Sequence, residues 1–247
     1  MGRLNITTGG NLIMNTSGNP IFLADVSTLT NGLMAYWKLD ESSGNAVDAS
    51  GNGITGTSSN ISYASGKINN CYTFNGSSSK VAFGNVVKPT SAISFSGWYK
   101  SSSSSKDNTM IDCIGYTANF QGYSFGVNTS NQVLIYLGNN TANFLDFETN
   151  PSGAVVTIND GNWHWIAGTW DGSNVYLYLD SYKSGASTWA YTLSYSASNS
   201  LNMGFYNYGT LWATASFDEV GIWNRVLTTS ELSTLYNSGS GKQYPFS

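Results

Sequence analysis

Charge is what this chain has least of. Asp, Glu, Lys and Arg together make up 10% of its 247 residues, and 10 basic against 14 acidic side chains leave a net charge of −4. Lys and Arg never run together. A nucleic-acid surface needs a clustered basic footprint, so that class of partner is excluded. Cysteine is nearly absent too. A disulfide framework or a zinc site would show more cysteines at closer spacing than Cys71 and Cys113, and two separate buried thiols are expected instead. The single histidine, His164, stands between Trp163 and Trp165 with no Gly-x-Ser-x-Gly elbow anywhere, which removes a nucleophilic triad. There is no Gly-x-x-x-x-Gly-Lys phosphate loop and no Cys/His cluster. No apolar stretch approaches the ~20 residues of a membrane-spanning helix. Residues 1–15 lack the basic-then-apolar order of a secretory leader.

What is present is apolar, aromatic and neutral-polar. Hydrophobic residues reach 40% and aromatics 14%, ample for a buried core. The polarity comes from Ser, Asn, Thr and Gly, giving a hydrated but weakly charged surface whose natural partners are sugars or other protein surfaces. Residues 1–31 read as a β-rich segment of short strands between Gly-Gly and Ser-Gly-Asn-Pro turns. It is too poor in apolar surface to form a core alone, so an anchoring contact with another subunit is expected of it. Residues 32–247 form the main domain. From Leu33 onward, short β-branched and aromatic runs alternate with turns, roughly a dozen strands in all, which implies a two-sheet sandwich. In Val175-Tyr176-Leu177-Tyr178-Leu179 the aliphatic residues fall on one face and the tyrosines on the other. One helix is predicted near the end, where Thr228 caps and Glu231 follows three residues on, with Leu232, Leu235 and Tyr236 on one side. Ser101–Ser105 reads as a flexible hairpin tip.

Several segments in order resemble the laminin G-like branch of the concanavalin A-like lectin and glucanase superfamily. They are the opening Leu33–Gly44, the Asp48-Ala49-Ser50-Gly51-Asn52-Gly53 loop, Tyr72–Gly76, Ile93–Trp98, Gly161–Ala167, Trp170–Gly172, Tyr178–Asp180 and the closing Phe217–Thr228. Asp180-Ser181 departs from the family's usual Asp-Gly, and a longer turn is expected there. The resemblance implies an all-β concanavalin A-like jelly-roll sandwich of two antiparallel sheets, one concave, with a short β-rich N-terminal extension and one short C-terminal helix. It fixes fold better than ligand.

In many such relatives a loop near the amino end meets an acidic pair on the last strand around a structural Ca2+. The matching residues are Asp48 and Asn52 with Asp218 and Glu219, set against the simpler reading in which Asp48 caps its own turn. Catalytic cousins carry three acids along one strand. Only Asp146-Phe147-Glu148 comes near, without the third acid, so no enzyme is expected. Trp37, Trp98, Trp163 and Trp223 lie in family strands and read as core. Trp189, Tyr191, Tyr206, Tyr208 and Trp212 stand in an irregular stretch among Ser, Asn and Gly, and read as an exposed contact surface for a sugar or a neighbouring subunit. The expected function is a non-catalytic surface adhesion protein, a virion decoration or fibre component able to hold glycans. The alternatives are a carbohydrate-binding module of a secreted protein and a β-glucanase. The expected location is the virion surface or the extracellular space.

Overall fold

The computed structural model describes residues 13–14, 20–21, 26–151, 153 and 157–246. Two antiparallel sheets face each other. The eight-stranded sheet runs in the order Phe144–Thr149, Val133–Asn139, Phe120–Val127, Asn108–Asp112, Leu201–Met203, Lys80–Gly84 and Thr57–Ser59, with Gly115–Tyr116 paired to Phe120–Val127. The nine-stranded sheet runs Tyr182–Lys183, Asn174–Leu179, His164–Trp170, Ile93–Lys100, Ser216–Trp223, Asn70–Thr73 and Ser62–Ser65. Its opening strand, Leu33–Trp37, pairs with the closing one, Ser216–Trp223. Joining the first strand of the domain to the last is what a jelly-roll sandwich requires.

Period-two alternation sorts the side chains as the sequence predicts. Val175, Leu177 and Leu179 point between the sheets, while Tyr176 and Tyr178 pack on the other side. The inter-sheet core holds Trp37, Phe95, Phe125, Trp170 and Phe217, all essentially inaccessible. Each such side chain contributes about 1.5–3 kcal/mol by leaving water. A second apolar layer lies on the outer face of the nine-stranded sheet. Trp98, Trp165 and Trp223 are covered there by helix α1 (Thr229–Tyr236), Leu29 and Phe246. Trp163 is only half-buried, with the Lys100 ammonium 5.8 Å from its ring.

The helix starts as the sequence indicates. Thr228 accepts from the Glu231 amide while Glu231 accepts from the Thr228 amide at 2.8 Å, a reciprocal cap. Arg225 donates to both Glu231 oxygens, at 2.6 and 2.8 Å, and to the carbonyls of Thr28 and Asn31. The Trp223 indole donates to the Leu29 carbonyl at 2.7 Å. Among the described residues, Thr28 and Leu29 thus already bond to the sandwich. Upstream, Ile13–Met14 pairs with Pro20–Ile21; the expected subunit contact of residues 1–31 otherwise lies outside the described residues.

Two local expectations change. Leu179 pairs with Tyr182, so Asp180-Ser181 closes a tight two-residue hairpin rather than a longer turn, with Asp180 itself taking the left-handed conformation at φ 53°. Ser101 is no free hairpin tip: it is buried, and its hydroxyl donates to the Thr214 carbonyl at 2.7 Å. Cys71 and Cys113 are both buried free thiols.

Candidate functional site

The four residues matched to a calcium site are drawn to different partners. Asp48 accepts from the amides of Tyr36, Ser50 and Ile54 at 3.1, 2.9 and 3.0 Å, the turn-capping role. These bonds outweigh the desolvation of its partial burial and hold its carboxyl below the usual range. Asn52 turns its amide nitrogen to the Leu33 and Met34 carbonyls. A bulge between Asp218 and Gly221, with Glu219 left-handed at φ 52°, sends the two adjacent acids apart. Asp218 accepts from the Ile68 amide. Glu219 accepts from the Tyr36 hydroxyl at 2.7 Å and from the Gln243 amide at 2.6 Å, and that same Gln243 nitrogen donates to Asp40. Burial pushes both Asp218 and Glu219 up to about 8. Among the described residues no three His, Cys, Asp or Glu side chains gather as a metal would need. Asp48 and Glu219 are thus engaged by amides and a hydroxyl, while Asp218 keeps one buried oxygen without a partner among the described residues.

The five aromatic candidates also separate. Trp189 is buried at 4% exposure, its ring 5.2 Å from that of Trp170, and it belongs to the inter-sheet core. The expectation that it is exposed is corrected. The short Ser187–Thr188 strand pairs with Asn174–Val175 and folds this irregular stretch back over the sandwich. Tyr191 is exposed beside it. Trp212 is half-buried against Phe205, 4.6 Å away. Tyr206 and Tyr208 do come together, on the outer face of the eight-stranded sheet.

That face is built by register. Asn202, Asp112, Ser124, Tyr136 and Asp146 pair across successive strands, so they form one row and share one side of the sheet. Val133, Ile135 and Leu137 face the opposite way, into the core. The next row is Gly122, Gly138 and Phe144, where the absence of a side chain at the two glycines lets the Cys113 and Phe120 backbone approach closely. The hairpin of Phe205–Tyr206 and Leu211–Trp212 lies over the row, and the Asn207 amide donates to Asp112 at 3.2 Å. Between hairpin and sheet is a cleft of about 190 Å³ with Tyr136, Tyr206, Phe120, Phe144 and Asp146 on its walls. Tyr208 stands 4.8 Å from Phe120 and 4.9 Å from Tyr116. Among the exposed large apolar side chains, Phe144 lines this cleft, and Tyr116 and Tyr208 pack against Phe120 on its wall.

The charges here have one sign. Glu148 accepts from Asn128 at 2.8 Å and from the Tyr136 hydroxyl at 3.1 Å. Asp146, two residues earlier on the same edge strand, has no hydrogen-bond partner for its carboxylate among the described residues. Desolvation, then the Glu148 and Asp107 charges, raise it to about 6. Asp112 is wholly buried with one oxygen unpartnered, and burial raises it to about 8. No lysine or arginine occurs between Lys106 and Lys183, nor between Lys183 and Arg225, so the segments that build the cleft carry no permanent cation.

Sequence reading found Tyr206 and Tyr208 but missed Tyr116, Phe120, Tyr136 and Phe144. The usable signal was the alternation of Val133-Leu134-Ile135-Tyr136-Leu137, which turns Tyr136 away from the core face.

Comparison with known proteins places this geometry. No curated protein sequence matches the chain. The receptor-binding domain of botulinum neurotoxin C/D mosaic serotype superposes with a TM-score of 0.65 at 12% identity, over 84% of this chain and 51% of that one. The serotype D ligand-binding domain, in complex with N-acetylneuraminic acid, gives 0.64 at 13% identity, over 86% and 52%. The chain thus spans about half the length of these toxin domains. Domain 4 of AbnA, a GH43 extracellular arabinanase from Geobacillus stearothermophilus, in complex with arabinotriose, gives 0.61 at 19% identity, over 85% of this chain and 98% of that domain. These likenesses concern the fold. Residues 75–233 match a laminin G-like family model described as concanavalin A-like lectin/glucanases superfamily, and the chain belongs to that family.

Proposed function

We propose that the chain is a non-catalytic, extracellular or surface-displayed carbohydrate-binding domain whose cleft on the eight-stranded sheet seats a sugar. The observation carrying this reading is the convergence of solvent-exposed Tyr116, Tyr208 and Phe144 on Phe120, at the wall of a small cleft that also presents Asp146. Aromatic faces take the apolar C–H side of a pyranose ring, and a carboxylate accepts from its hydroxyls. At about 190 Å³ the cleft is smaller than an enclosing pocket of ~300–1,000 Å³, which suits one ring of a longer glycan lying across the surface. The neighbouring toxin and arabinanase domains, solved with sialic acid and with arabinotriose, support a sugar-binding use of this fold.

A hydrolytic role is disfavoured by the engagement of Glu148. Both its oxygens are held by Asn128 and Tyr136, which leaves no free second carboxylate beside Asp146 to act as nucleophile or acid. Display on a virion or other assembly through residues 1–31 is the natural extension. Light scattering of the full chain tests it, a multimer supporting the extension and a monomer opposing it. The binding reading is tested by a glycan array followed by titration calorimetry. Micromolar to millimolar binding that weakens about tenfold in Tyr208→Ala supports it, on the scale of one aromatic contact. Absence of binding to every glycan class contradicts it.

A further inference from the structure

The cleft's charge pattern narrows the sugar. Its walls are phenol and phenyl rings, the Asp146 carboxylate among them has no hydrogen-bond partner among the described residues, and Glu148 stands behind it. Beneath the hairpin lies Asp112, buried, with one oxygen lacking a hydrogen-bond partner among the described residues. The strands that form the cleft bring no lysine or arginine to it. An anionic sugar entering here would lose hydration against two carboxylates with no cation to receive it. A cation gains twice, from the Asp146 carboxylate and from the electron-rich faces of Tyr116, Phe120 and Tyr208, whose ring centres lie within 4.8–5.3 Å of one another.

From this we infer that the cleft selects sugars bearing a free amino group, hexosamine residues in their ammonium form, over N-acetylated, neutral and sialylated ones. The inference rests on the glycan-binding reading above and specifies its ligand. The ring of the hexosamine packs on the aromatic rim, and its ammonium sits between Asp146 and the ring faces. Asp146 is faced by Glu148 on its own strand, by Tyr136 on the next, by Tyr206 from the hairpin, and more distantly by Asp107. None of these neutralises it, so the amino sugar supplies the missing counter-charge.

The test is titration calorimetry of the full chain at pH 7 with three probes: tetraglucosamine, its fully N-acetylated counterpart and sialyllactose. Tetraglucosamine is expected to bind roughly five- to tenfold more tightly than the acetylated oligomer, the scale of one partly exposed ion pair plus one cation–π contact, and sialyllactose is expected to bind least. Asp146→Asn should shrink the gap between the first two to under about twofold. Because Asp146 is exposed on an edge strand, the variant is expected to fold, which circular dichroism checks. Tetraglucosamine affinity should also pass through a maximum with pH. It falls on the acid side as Asp146 takes up a proton, and on the alkaline side as the sugar ammonium gives one up. Equal binding of the acetylated and free-amine oligomers, or a gap unchanged in Asp146→Asn, overturns the amino-sugar inference and leaves glycan binding standing. Failure of all three probes, with no glycan of any class bound, overturns both.

Discussion

The two sheets of this sandwich turn very different outer faces to their surroundings. On the nine-stranded sheet, Trp98, Trp165 and Trp223 are sealed under α1, Leu29 and Phe246, and Arg225 fastens the cover by bonding Glu231 and the carbonyls of Thr28 and Asn31. On the eight-stranded sheet the cover among the described residues is the Phe205–Trp212 hairpin, and it stops short, leaving Tyr116, Phe144 and Tyr208 in solvent. Both faces are rich in aromatics. The difference lies in whether a covering element with its own apolar side reaches them, so aromatic content alone does not mark a binding surface. Apolar surface sealed on one side stabilises the fold, and the same chemistry left open on the other is available to a ligand.

The contrast can be broken most sharply at Trp189. Because it is packed on Trp170 in the core, Trp189→Ala should cost about 3–5 kcal/mol of stability in chemical denaturation. A cost under about 1 kcal/mol would return it to the surface, where its Ser/Asn-rich context suggested it belonged. Next comes the clasp of the sealed face. Arg225→Ala leaves Glu231, Thr28 and Asn31 without their shared donor and should cost about 2 kcal/mol. Without that partner, Glu231, held down to about 2 against its own desolvation by Arg225 and the Thr228 amide, should titrate nearer the ordinary carboxylate range.

A smaller effect comes from the buried acids. Asp112, Asp218 and Glu219 have folded-state values raised to about 8, against about 4 when unfolded. The folded protein therefore holds protons that the unfolded chain releases. The stability from these groups is full below about pH 4 and is lost as pH rises through 8. His164 acts in the same sense. Although desolvation lowers it, Asp180 and Asp160 raise it overall, so its contribution too fades with rising pH. Glu231 and Asp48, both lowered, act in reverse and lose their contribution as pH falls. The melting temperature should accordingly decline between pH 5.5 and 8.5, and Asp218→Asn should flatten that slope. A rise over this range contradicts the assignment. The smallest expected change is in stability at the open face. Tyr208→Ala should move it by no more than about 0.5 kcal/mol while weakening glycan binding.

Much of the fold was legible in the sequence because its signals are local and repeated. Alternation in Val175–Leu179, the Thr228–Glu231 cap and the matched opening and closing motifs each specify one element, and pairing Leu33–Trp37 with Ser216–Trp223 joins them. The site was legible only in part. Tyr206 and Tyr208 fell where loop aromatics were expected. Trp189 did not, since nothing in a run of Ser, Thr and Asn tells whether it crosses the core or leaves it. Tyr116, Phe120 and Phe144 became a site through strand register and the hairpin laid over them, both long-range facts. Motif matching also does not count the hydrogen bonds around the matched acids: three amides on Asp48, and the Gln243 amide joining Glu219 to Asp40.

The most direct test of the open face as the recognition surface is a two-dimensional amide NMR titration of the full chain with tetraglucosamine. Shift changes should cluster at Tyr116, Phe120, Tyr136, Asp146 and Tyr206–Tyr208 and leave the α1 side still. Changes centred on Trp165, Lys183 and Tyr236 under α1 would contradict that placement.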